Sequence, residues 1–177
     1  MSDWKPEPEL RQALFDAVPG ILKSQRVDGQ FGTDPWTCRD QDMTFPLAAA
    51  WSFEDSPYYH DEKVLEAIVL GGDALIDAQD ENGMWTFRKK DHSTWGQIYM
   101  PWTYSRWIRT YHIVREAMSQ EAQDRWNKGL LLGFEGISAT ALERIHNIPT
   151  HHAMALYYAS KVFEREDWKS QATDFMA

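Results

Sequence analysis

A repeat inside the chain constrains its fold more than any other feature. Leu10, Leu14, Phe15, Val18, Ile21 and Leu22, then Gln25, Asp28, Gly29 and Phe31, recur 54 positions later without a gap. The second set is Val64, Ile68, Val69, Gly72, Leu75 and Ile76, then Gln79, Asn82, Gly83 and Trp85. Self-similarity at this period is the mark of a stacked architecture, in which each unit covers the apolar face of the last.

Within each unit the apolar residues fall at helical spacing, which predicts amphipathic helices over about 7–25 and 61–79. Each ends in Gln-x-x-(Asp/Asn)-Gly-x-(Phe/Trp). The glycine supplies a positive φ that stops the helix, the aromatic folds back over its end, and the glutamine amide ties the loop.

Between and after the repeats the same rhythm predicts further helices. QDMTFPLAAAWSF (41–53) and MPWTYSRWIRTYHIVREAM (100–118) are two of them. Ser119 caps the next, with Glu121 in its first turn, and that helix is expected to reach about Ile145 with Gly129, Gly133 and Gly136 as breaks. Pro149 or Thr150 opens HHAMALYYASKVF, and Asp167 opens a last helix. No strand pattern of useful length competes. The expected fold is all-α, a single domain of antiparallel helical hairpins forming an incomplete (α/α)n toroid, with an open edge that dimerises or meets further sequence.

Charge and composition narrow the partners. A net charge of −9 and the lack of any basic run argue against nucleic acid. No stretch approaches the roughly 18 apolar residues of a membrane span, and the start MSDWKPEPEL has no leader pattern. As written the chain reads as cytoplasmic; a truncated sequence would allow a periplasmic or secreted protein. A single cysteine, Cys38, excludes an internal disulfide, and no HExxH spacing or other metal signature is present, so neither metal nor cofactor is expected. Aromatic residues make up 14% of the chain with nine tryptophans, a surplus that asks for a use.

Up-and-down order puts the loops after the first, third and fifth helices at one end. These are 28–40, 81–99 and 146–150. They bring Phe31, Trp36, Trp85, Trp95, Tyr99, Trp102 and Tyr104 to the same face as Arg39, Asp40, His92, Arg106, Asn147, His151 and His152. Aromatic plates beside cationic and amide groups suit a carbohydrate: rings stack on C–H patches, and polar groups take hydroxyls or carboxylates. The third loop, HNIPT, abandons the Gly-x-aromatic pattern of the other two, as expected where function overrides a structural repeat.

Hairpins with Gln-x-x-Asp-Gly-x-aromatic ends, followed by HNIPTHHAMALYYASKVFEREDW (146–168), resemble the α/α-toroid polysaccharide lyases, the group that includes alginate and glucuronan lyases and the heparinase II/III-like enzymes. The resemblance implies β-elimination on a uronate polymer. Asn147 would neutralise the carboxylate, with an arginine to help; His151 or His152 would remove the C5 proton; a tyrosine, locally Tyr99 or Tyr104, would protonate the leaving oxygen. Trp36, Arg39, Trp85, Trp95, Tyr99, Trp102, Arg106 and Arg144 would bind the chain of sugars. In the usual lyase motif the asparagine directly precedes the histidine, whereas Ile-Pro-Thr separates Asn147 from His151 here.

Two other functions fit parts of the pattern. A toroid glycoside hydrolase, such as an unsaturated glucuronyl hydrolase, would need two carboxylates in the cleft, from Asp40, Asp42 and Asp91. A non-catalytic carbohydrate-binding fragment would need only the aromatic plates. The repeat also resembles that of the triterpene cyclases and prenyltransferases, but their aspartate-rich diphosphate motif is missing.

Overall fold

A computed structural model describes residues 7–33, 37–140, 142 and 145–177. Among these residues the chain forms seven α-helices: α1 (Pro8–Ser24), α2 (Thr44–Ser52), α3 (Glu62–Ala78), α4 (Pro101–Val114), α5 (Gln120–Ser138), α6 (Asn147–Val162) and α7 (Glu166–Met176). A 3-10 turn, Cys38–Met43, leads into α2, and a shorter one, Arg115–Ala117, extends α4.

The helices lie in two layers of opposite direction. In one, α2 packs on α4 and α4 on α6. Their starts lie together, since Arg106 pairs with Asp42 and Trp102 meets His151, and their far ends also meet where Arg115 reaches the Val162 carbonyl. In the other, α3 and α5 run parallel: Trp126 and Arg125 bond Asp73, and further along Gln79 bonds the Gly129 carbonyl. Phe134 against Trp168 and Gln171 on the Ser138 carbonyl align α7 with α5 in the same sense. The loops after α1, α3 and α5 therefore share one end, as the alternation of helices predicts.

The repeat is visible atom by atom. Arg26 N–H bonds the Gln30 carbonyl and Asp80 N–H the Met84 carbonyl, both at 2.8 Å. Gly29 and Gly83 both have φ of 81°. At each of them a Cβ would strike the helix of the next repeat, α3 at the Leu70 carbonyl and α5 at the Gly133 backbone respectively. Gln25 bonds the carbonyls of Gly29 and Ala67, and Gln79 that of Gly129, so each glutamine fastens its loop to the following unit. Phe31 and Trp85 are buried, with the Trp85 indole donating to the Leu75 carbonyl at 2.9 Å.

Most of the tryptophan surplus goes into this core. Trp85, Trp107, Trp126 and Trp168 are almost fully buried and are linked through Tyr104, Tyr111, Phe134 and Phe163 by ring contacts of 4.6–6.5 Å. Such pairs contribute about 0.5–1.5 kcal/mol each beyond the area they bury.

Several expectations need correction. The loop after α3 contains an antiparallel hairpin, β1 (Trp85–Arg88) with β2 (Thr94–Ile98), broken by a bulge between Phe87 and Arg88. The strands are short, β1 running from buried Trp85 to exposed Arg88 and β2 mostly exposed, so no apolar alternation marks them. Helix α5 stops at Ser138 rather than near Ile145. Its glycines are not breaks: Gly133 makes room for the Tyr104 ring and Gly136 for that of Tyr99. Helix α6 starts at Asn147, not at Pro149 or Thr150, with proline in its first turn where the missing N–H costs nothing.

Candidate functional site

The starts of α2, α4 and α6 converge on the end that carries the long loops. The starts of α4 and α6 bring the positive ends of their helix dipoles to that face, while the 3-10 turn runs on into α2 with Thr44 N–H bonded to the Gln41 and Asp42 carbonyls. Helix α4 presents Trp102, Arg106 and Arg109 at i, i+4 and i+7, one stripe of its surface. The 3-10 turn supplies Arg39 and Asp42, and α6 supplies His151.

Their contacts make one cluster. Arg39 lies 5.7 Å from the centre of the Trp102 ring, and the same indole meets the His151 imidazole with centroids 5.4 Å apart. Arg106 Nη1 donates to Asp42 Oδ2 at 2.8 Å. Arg109 donates from Nε to the Ser105 carbonyl and spreads its guanidinium between the rings of Phe45, at 4.5 Å, and Tyr158, at 5.4 Å.

The electrostatics follow from this crowding. Desolvation holds the His151 imidazole below its ordinary 6.5, and the charges of Arg106 and Arg109 push the same way. At neutral pH the ring is therefore uncharged and able to accept a proton. Its Nδ1 is buried with no hydrogen-bond partner among the described residues. Burial drives the Asp42 carboxyl up to about 6, against the opposing pull of Thr103, Arg106 and Arg39. Asp42 Oδ1 is likewise buried and unpartnered among the described residues.

Beside this cluster, between the 3-10 turn and the hairpin, is a cleft of about 310 Å³. Arg39, Arg88, Lys89 and Lys90 line it together with Asp40, and Phe87 and Met100 give it an apolar surface. Lys90 bonds both the Asp40 carboxylate and the Thr33 carbonyl, which holds the hairpin against the loop after α1. Trp95, 76% exposed, stacks on Phe87 with the Lys89 ammonium 5.1 Å from its ring.

The residues expected to act divide clearly. His151, Trp102, Arg106 and Arg39 are together, and Trp95 stands at the exposed hairpin. Asn147 is exposed at the first position of α6, its Oδ1 accepting from Ile148 N–H at 3.0 Å. Because α6 begins there, Asn147 and His151 are i and i+4 on one helix face, so the intervening Ile-Pro-Thr does not part them.

Tyr104 does not reach the cleft. It is fully buried, accepts from Gln79 Nε2 at 2.7 Å, and donates to the Gly83 carbonyl. Desolvation raises its phenol far above the usual range, so it is a core strut rather than a proton donor to substrate. Trp85 is equally buried and belongs to the same strut. His152 is buried, its Nε2 2.8 Å from the Tyr99 carbonyl, and it ties α6 to the end of the hairpin. Tyr99 is half-buried, with its phenol over Gly136 on α5. Trp36 and Arg144 lie outside the described residues. Asp42 and Arg109 join the site without having been singled out for the lyase chemistry; the i, i+4, i+7 spacing of Trp102, Arg106 and Arg109 was the signal for the second.

Each of the three candidate carboxylates has a partner of its own. Asp40 is held by Lys90, Asp42 by Arg106, and Asp91 folds onto Ser93 at the hairpin tip. Among the described residues no group of three His, Cys, Asp or Glu side chains could hold a metal ion, and no helix is long and apolar enough to cross a membrane. Models of known protein families and solved structures give no match to this chain.

Proposed function

We propose that this chain is an arc of an α/α toroid that binds an anionic polysaccharide and cleaves it at a uronate by β-elimination. The observation that carries the reading is His151, an imidazole kept neutral beside an indole and two arginines at the end where three helices begin. Two oppositely directed layers, α2–α4–α6 and α3–α5, are what successive hairpins stacked in such a ring would show.

The chemistry asks for this arrangement. A uronate C5–H becomes acidic only when the adjacent carboxylate is neutralised, the task of Asn147 with Arg106 or Arg109. His151 then takes the C5 proton, the electron pair forms the C4–C5 double bond, and the C4–O bond breaks. The leaving oxygen takes a proton from solvent or from a tyrosine of this face; Tyr158, beneath Arg109, is within the cluster. Trp102 offers its indole to a sugar ring.

A hydrolase reading draws on Asp42, whose carboxyl near 6 suits a general acid, but it needs a second carboxylate facing the same bond. Asp40 and Asp91 are both engaged elsewhere.

The test is the near-ultraviolet absorbance of the unsaturated uronate, followed on alginate, glucuronan and glycosaminoglycans with the chain and its Asn147→Ala and His151→Gln variants. A signal that both variants lose supports the lyase. A flat trace on every polymer from folded protein sinks catalysis and leaves carbohydrate binding.

A further inference from the structure

The cleft between the 3-10 turn and the hairpin concentrates four cationic side chains around one carboxylate, in a chain whose net charge is −9. Lys90 is held by Asp40, and Arg39 and Lys89 feel the charges of Asp42 and Asp91, yet the cleft lining itself keeps a surplus of positive charge. Lys90 pins the hairpin to the loop after α1, whereas Arg88, exposed at the end of β1, makes no ion pair among the described residues. Arg39 joins the cleft to the site: it lines the cleft and also covers the Trp102 ring, whose other neighbour is His151. Trp95 and Phe87 continue the aromatic surface along the hairpin.

We propose that this cleft takes a second anionic group, carboxylate or sulfate, of the same glycan, so that the chain selects polymers charged on successive sugars over those in which uronates alternate with neutral sugars. The proposal rests on the glycan reading of the His151 site, but not on its catalysis. The guanidinium of Arg88 gives two parallel donors to such a group, and Lys89 adds a charge beside the exposed indole.

Isothermal titration calorimetry on the folded chain tests it, with an oligomannuronate hexasaccharide, a hyaluronan hexasaccharide and a carboxylate-free sulfated fucan oligosaccharide. The chain is compared with an Arg88→Gln/Lys89→Gln variant at two salt concentrations. The oligomannuronate is expected to bind more tightly than the hyaluronan. The variant is expected to lose about tenfold in affinity for the oligomannuronate, to show a shallower salt dependence, and to leave hyaluronan binding unchanged. Binding of the fucan that the variant loses identifies sulfate as acceptable to the cleft; fucan failure with oligomannuronate selectivity intact restricts the cleft to carboxylates. Equal affinity for the two uronate oligosaccharides, or a variant indistinguishable from the parent, overturns the proposal. If neither uronate oligosaccharide binds, the glycan reading falls with it. Selective binding without unsaturated product removes only the lyase.

Discussion

His151 and Trp102 meet at 5.4 Å between ring centroids with their planes tilted by 50°, and this contact joins the start of α6 to the start of α4. It removes water from one side of the imidazole while Arg106 and Arg109 oppose a second positive charge nearby. A histidine in that position is a base at neutral pH rather than a cation.

The first prediction concerns that proton. NMR titration of His151 should give a midpoint below 6.5, and Arg109→Gln should move it back toward 6.5 by removing one repelling charge. Any β-elimination requires the neutral ring, so the acid limb of its rate profile should move to higher pH together with the midpoint. A midpoint at or above 6.5 in the parent chain contradicts the site geometry whatever the activity.

Tyr104 separates a structural role from a catalytic one. Tyr104→Phe removes the phenol that bonds the Gly83 carbonyl and one of the two acceptors of the Gln79 amide, which keeps its bond to the Gly129 carbonyl, and this should cost about 1–3 kcal/mol of stability in denaturant titration. Binding and turnover below the unfolding transition should be unchanged. A variant of full stability that has lost activity would return Tyr104 to the role of acid.

Asp42 gives the fold a pH dependence of defined sign. Its carboxyl titrates near 6 when folded and near 3.8 when not, so between these values the folded chain binds the extra proton. Stability contributed by that proton is present at low pH and lost as pH rises from about 4 to 6, by on the order of 2–3 kcal/mol. Asp42→Asn should flatten this part of the stability profile. An unaltered slope would show that the carboxyl is solvated and not held in the Arg106 cluster.

What could be read from the chain depended on how local the cause was. The repeat placed α1 and α3, their glycine stops and their glutamine ties, because each is set by residues within one turn and its loop. The shared end of the loops after α1, α3 and α5 followed from alternation alone. The hairpin was not legible, since β1 and β2 are short and largely exposed and carry no apolar alternation. Tyr104 was misplaced for a different reason: its destination depends on Gly133, 29 positions away, which leaves space for the ring between α4 and α5. The roles of His151 and His152 could not be divided by sequence either. Adjacent residues diverge around a helix, and only packing decides that His152 faces the Tyr99 carbonyl while His151 faces Trp102.

The last prediction uses two glycines with opposite surroundings. Gly83 has φ of 81°, and a Cβ there would lie 2.7 Å from the Gly133 Cα, so Gly83→Ala combines left-handed strain with a backbone clash. A loss of more than about 2 kcal/mol is expected, since the penalty for the αL region alone is roughly 1–2 kcal/mol. Gly20 lies within α1 with nothing inside 4 Å of its would-be Cβ. Gly20→Ala should therefore stabilise the chain by about 0.5–1 kcal/mol, through higher helix propensity and a less mobile unfolded chain. Because the Gly83 stop presses directly on α5, the same destabilised variant should also loosen the Gln79 to Gly129 tie, seen as faster amide exchange around Gly129 and Gly133. Slow exchange there in Gly83→Ala would show that the loop yields without disturbing the neighbouring unit, and that the repeats are less tightly coupled than their shared contacts require.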